Sequence, residues 1–108
     1  MSDLTSKKCV PCSIGAIPLD SDEIQGFLKN LNEDWEVNDN KQIERTFKFK
    51  DFKEALEFTN KVGSIAEAEG HHPDICLTWG KVNIILWTHK IKGLHENDFI
   101  MAAKIDEL

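Results

Sequence analysis

No apolar stretch in the 108 residues approaches the roughly 20 needed for a helix to cross a bilayer, so a membrane-spanning role is excluded for any single segment. Met1 to Pro11 contain Asp3, Lys7 and Lys8 and lack the apolar middle of a secretory signal. A cytoplasmic protein is the expectation. Cysteine is scarce and odd in number, at three, which argues against a closed disulfide framework. Cys9 and Cys12 make a lone C-x-x-C, but no second pair stands ready to complete a structural zinc site. Basic residues are in the minority, 13 against 19 acidic, for a net charge of −6. That balance excludes a general phosphate-backbone binder, which needs a positive surface. No phosphate-cradling glycine loop, dinucleotide fingerprint or Ser/Cys–His nucleophile motif is present. No repeat or low-complexity segment is found either.

What remains is an ordinary globular composition, 41% hydrophobic and 30% charged, at the size of one domain. Residues 1–18 read as a polar arm, broken by Pro11, Gly15 and Pro18. Residues 19–108 read as a single domain. Asp20 and Glu23 form a capping-box pattern ahead of Ile24, Phe27, Leu28 and Leu31, the apolar face of a first helix. Trp35–Val37 is a short strand and Asn38–Lys41 a turn. Gln42–Phe49 alternates, with Ile43, Arg45, Phe47 and Phe49 on one side.

Asp51 and Glu54 repeat the capping pattern before a long helix to about Glu69, stopped by Gly70. At ~1.5 Å per residue it spans roughly 28 Å, enough to cross a small sheet. Ile75–Trp79 and Val82–His89 form a second hairpin around Gly80-Lys81. The last strand is apolar on both faces, as a central strand or one at a subunit interface would be. A final helix runs from about Glu96 to Asp106, with His95 near its N-cap. Ile105-Asp106-Glu107-Leu108 is close to an endoplasmic-reticulum retention tail but reads more simply as a helix end. The order α-β-β-α-β-β-α predicts an α+β fold: a four-stranded antiparallel sheet with three helices on one face.

The hairpin carries the chemistry. His71 and His72 precede its first strand and His89 ends its second, so pairing brings three imidazoles to one end. Imidazole titrates near neutral pH, and a cluster supplies acid and base forms together. Glu67, one turn before His71, and Asp74, two residues past His72, can each orient a ring. Pro73 pushes His72 into extended backbone. The plainer alternative is that His71 and His72 only cap a helix C-terminus. A zinc site is the other rival, and adjacent His71 and His72 are awkward joint ligands because neighbours on extended chain point opposite ways. Trp79 and Trp87 read as core or interface residues, or as aromatics able to stack on a planar heterocycle.

Glu67-x3-His71-His72-Pro73-x5-Trp79-x9-His89-x8-Asp98 resembles the signature of the pterin-4a-carbinolamine dehydratases. Lys81-Val82-Asn83, Thr88-His89 and Gly93-Leu94 agree with it, as do Trp35-Glu36-Val37 and Phe49-Lys50-Asp51-Phe52. The resemblance covers about residues 19–106. The chain departs from the family's usual pattern at Gly70, where an Asp is common, and at Ile75, where an aromatic is.

The resemblance implies a hydro-lyase without cofactor or metal. Such enzymes convert 4a-hydroxytetrahydropterin to quinonoid dihydropterin in tetrahydrobiopterin recycling. It casts His71, His72 and His89 as the catalytic set. Glu67, Pro73, Asp74, Trp79 and Asp98 become supporting and substrate-binding residues. It also implies a homodimer or homotetramer with a small pterin as partner, and no direct contact with nucleic acid or membrane. Two alternatives come with it. Some animal members serve as dimerisation cofactors for a homeodomain transcription factor, and a bacterial homologue could act on a molybdopterin-related compound.

Overall fold

The computed structural model describes residues 4–9 and 17–108. Cys12, and with it the C-x-x-C pair, lies outside the described residues. The elements are α1 (Ser21–Leu28), β1 (Glu36–Asn38), β2 (Gln42–Lys48), α2 (Phe52–Glu69), β3 (Asp74–Thr78), β4 (Lys81–Leu86) and α3 (Glu96–Asp106). Short 3-10 turns occupy Leu4–Ser6 and His89–Ile91. The order read from the sequence is the order observed. The strands form one antiparallel sheet in the order β1-β2-β4-β3. The two-faced strand β4 is therefore central, flanked by β2 and β3.

The helix starts follow from their caps. Asp20 accepts from the Glu23 N–H at 2.8 Å, and Glu23 accepts from the Asp20 N–H at 3.0 Å, a complete capping box. At α2 only half of the box forms. Asp51 accepts from Glu54 N–H at 2.9 Å, while the Glu54 carboxylate turns to the Lys50 N–H at 3.3 Å. Gly70 closes α2 at φ 66, the left-handed region that glycine adopts without a Cβ clash.

Alternation along the strands sends Ile43, Val82, Ile84 and Leu86 into the core beneath α2 and α3. The α3 helix is covered on more sides than the sequence pattern suggests. It packs against α2, β4, α1 and the Leu4–Ser6 turn, so Asn97 through Ala103 are all buried. The fully buried Asp98 lies on this helix.

Arg45 shares the core side of β2. Its Nη1 donates to Asp106 Oδ1 at 2.7 Å, and its guanidinium lies 4.2 Å from the Phe47 ring centroid. Trp35 Nε1 donates to the same carboxylate at 2.8 Å. Asp106, in the last turn of α3, thus ties that helix to β2 and to the residue that precedes β1. On the opposite face of the sheet, Glu44 accepts from Asn38 at 2.8 Å and from Asn83 at 2.9 Å. The Asn38 bond, then the Asn83 bond, hold its carboxyl below the usual range.

Candidate active site

The β3–β4 register pairs Asp74 with Ile85 and Thr78 with Lys81. Extended past the paired residues, it sets His89 opposite the end of α2, where His71 and His72 stand. The strand β4 stops at Leu86 rather than running to His89. A bridge between Thr88 and Gly93 pinches the chain, and His89 opens a 3-10 turn. The three imidazoles nevertheless line one cavity of about 580 Å³, together with Cys9, Glu69, Gly70, Trp87, Thr88, Lys90 and Asn97.

Each histidine has its own partner. His71 Nε2 lies 2.6 Å from Asp98 Oδ1, with the imidazole 13% exposed and the carboxylate wholly buried. The other oxygen, Oδ2, accepts from Thr88 Oγ1 at 2.8 Å and from the His95 N–H at 3.0 Å. His95 is the N-cap of α3, and its Nδ1 accepts from the Asn97 N–H at 3.0 Å. Asp98 is thus the fixed centre of a small polar network. An ionised carboxylate only accepts, so His71 Nε2 donates to it and keeps Nδ1 for other chemistry.

His72 Nε2 hydrogen-bonds to Glu67 Oε2, and both side chains stand in solvent, 61% and 80% exposed. Pro73 follows, and the two consecutive imidazoles line the same cavity at very different depths. The third histidine has an aromatic partner. The His89 and Trp87 rings lie 4.1 Å apart at 44°, and Trp87 Nε1 donates to Asp74 Oδ2 at 3.2 Å.

The sequence-derived set is therefore divided. His71, His72 and His89 come together. Glu67 and Asp98 stand behind two of them, and Asp74 acts on Trp87 rather than on an imidazole. Trp79 is not brought to the site. It sits at the turn of the hairpin, at the far end of β3 and β4 from the histidines, and is 70% exposed.

Thr88, Cys9, Asn97 and Glu69 join the site from the structure, and Trp87, of the two aromatics read as able to stack, is the one that lines it. Glu69 left one signal in the sequence. An acid in the last turn of a helix opposes the helix dipole and calls for a partner. Among the described residues no group of three His, Cys, Asp or Glu is placed to hold a metal ion. No helix among them is long and apolar enough to cross a membrane. A second, larger cleft of about 780 Å³ is lined by Arg45, Phe47 and Asp106 and contains no histidine. Its arginine is already engaged by Asp106 and, at 3.6 Å, by Asp34.

Comparison with known proteins gives a consistent result. The sequence profile of the family described as pterin 4 alpha carbinolamine dehydratase matches residues 17–108. A protein of Alkaliphilus metalliredigens named as a pterin-4-alpha-carbinolamine dehydratase is 57% identical over 107 residues, covering 99% of this chain and 96% of its own. One of Methylococcus capsulatus with the same name is 53% identical over 106 residues, covering 97% and 92%. A crystal structure from Brucella melitensis, described as a transcriptional coactivator/pterin dehydratase, superposes with a TM-score of 0.77 at 34% identity, covering 83% of this chain and 96% of that one. With the histidines, the hairpin that gathers them and the profile all in agreement, the chain belongs to the pterin 4 alpha carbinolamine dehydratase family of hydro-lyases.

Proposed function

We propose that this chain dehydrates 4a-hydroxytetrahydropterin to quinonoid dihydropterin, by general acid/base catalysis with His71, His72 and His89, as a step of tetrahydrobiopterin recycling. The observation that carries the reading is the convergence of the three imidazoles on one cavity, one of them fixed by a buried carboxylate. The reaction removes the elements of water. The C4a–O bond breaks, the departing oxygen takes a proton, and a base removes a proton from the ring system. One group must give a proton and another accept one, and imidazoles do both near neutral pH.

The partners suit different tasks. Asp98 holds His71 in one tautomer and orientation. Glu67 orients the exposed His72 ring through the hydrogen bond to its Nε2. Trp87, oriented by Asp74, offers an aromatic face beside His89 on which a flat heterocycle can stack. A pterin is such a heterocycle, and the cavity has the size usual for a small-molecule site. We place the enzyme in the cytoplasm as a homodimer or homotetramer. The sheet face opposite the helices supports the latter, since Ile85 of the central strand is only half-buried there.

The test is dehydration of freshly generated 4a-carbinolamine, followed by ultraviolet absorbance with the spontaneous reaction subtracted. The wild type is expected to exceed the blank, and His72→Ala to lose most of that gain. Folded wild-type protein at the blank rate would overturn the reading.

A further inference from the structure

The cavity is bounded on one side by a segment that lies before the family match. Cys9 lines it with the three histidines, and Cys9 precedes residue 17, where the match begins. The segment is docked at several points. Leu4 is 3% exposed in the core, and the turn Leu4–Ser6 packs on α3. Lys7 Nζ meets Glu96 Oε2 at 2.6 Å. The Cys9 N–H donates to Glu69 Oε1 at 2.8 Å, and Cys9 Sγ donates to the Asn97 carbonyl at 3.6 Å. Glu69 Oε2 in turn accepts from Lys104 Nζ at 3.2 Å. One carboxylate at the end of α2 therefore joins the segment to α3.

We propose that Glu69 is a positioning residue that clamps Leu4–Cys9 onto the cavity, so that Cys9 forms a wall of the pterin site and sets how tightly the pterin is held. This rests on the dehydratase reading above. The carboxylate suits the task. The Cys9 N–H bond, more than the Lys104 contact, holds its carboxyl below the usual range, so it stays charged at neutral pH.

The thiol suits a wall rather than a reagent. Burial, then the charges of Glu69 and Asp98, push it up to about 12. A protonated thiol is a small, polarisable, apolar surface and a poor nucleophile. Contacts of this kind act on bound substrate and transition state alike, so their loss appears in KM more than in kcat.

The experiment measures KM and kcat for 4a-carbinolamine, and Kd for 7,8-dihydropterin by titration calorimetry, on the full chain. Variants are Glu69→Ala, Glu69→Gln and Cys9→Phe, with Cys76→Ser on the exposed side of β3 as control. Glu69→Ala and Cys9→Phe are expected to raise KM and Kd about fivefold to tenfold, with kcat within about twofold. Glu69→Gln keeps an acceptor for the Cys9 N–H and is expected to recover part of the loss. Cys76→Ser is expected to match the wild type.

Wild-type KM and Kd in Cys9→Phe, with a normal wild-type rate, overturns this inference and leaves the dehydratase reading standing. A wild type without rate gain and without dihydropterin binding overturns both. Cys9→Phe carries the test alone if Glu69→Ala does not fold.

Discussion

His71 and His72 are neighbours in the chain and opposites in environment. His71 is 13% exposed and bound to a carboxylate that solvent does not reach, whereas His72 is 61% exposed and bound to one that is itself 80% exposed. The cause is local. Gly70 turns the chain out of α2, and the two imidazoles then find different carboxylates, Asp98 in the core and Glu67 on the helix surface. The difference matters because a hydrogen bond away from water is held in one geometry, while a surface ion pair contributes little and exchanges readily with solvent. One imidazole is thereby fixed as part of the scaffold, and the other stands open to solvent. Two adjacent residues of one type can serve two needs of the same reaction.

The largest expected effect comes from removing the fixed centre. Asp98→Ala leaves His71 Nε2, Thr88 Oγ1 and the His95 N–H without their acceptor in a buried place. Unsatisfied buried donors cost on the order of 2–4 kcal/mol together. Thermal denaturation is expected to show a fall of more than about 8 °C, with activity reduced about 100-fold or more.

His72→Ala sharpens the contrast. The same rate assay is expected to fall about 100-fold while the melting temperature stays within about 2 °C, since the side chain packs against little. Equal destabilisation by His71→Ala and His72→Ala would break the comparison. Asp106→Ala is the mirror case. It removes the 2.7 Å partner of the mostly buried Arg45 guanidinium, leaving the longer contact to Asp34, and takes the acceptor from the Trp35 N–H, and is expected to cost about 2 kcal/mol with kcat unchanged. Glu67→Gln should be milder than any of these, lowering kcat less than about tenfold because its ion pair is exposed.

The smallest effect is a pH dependence. The carboxyl of Glu69 is lowered from its ordinary 4.5 in the folded protein, so its contribution to stability is complete above that value and lost as pH falls through the lowered one. The stability gap between wild type and Glu69→Gln, measured by denaturant unfolding, is expected to close as pH falls below 4.5.

The element order was legible because each boundary carries its own chemistry. Asp20 with Glu23, Asp51, His95 and Gly70 all cap where local sequence places them. Counting back from a turn at Gly80-Lys81 brought the three histidines together, although the turn itself falls one residue earlier, at Trp79-Gly80, because Thr78 pairs with Lys81. Long-range partners were not legible in the same way. The His95 N–H reaches Asp98 through a local capping box, but nothing local to Thr88 or His71 says that they meet on the same carboxylate. The resemblance to a family supplied Asp98, and tertiary packing of α3 explains it.

The sequence distance between Cys9 and Glu69 hides the clamp entirely, save for an acid at the wrong end of a helix. Trp79 shows the converse. A residue inside a motif looks close to the site in sequence, yet a hairpin carries it to the opposite end of the strands.

The claim that the gathered imidazoles perform the dehydration is tested most directly in one assay. Wild type, His71→Ala, His72→Ala, His89→Ala and the triple variant are compared for dehydration of fresh 4a-carbinolamine, after the spontaneous rate is subtracted. The expected result is a large loss in each single variant, with the triple variant little worse than the worst of them, because groups that act as one unit are not additive. A triple variant that folds and keeps the wild-type rate would contradict the account.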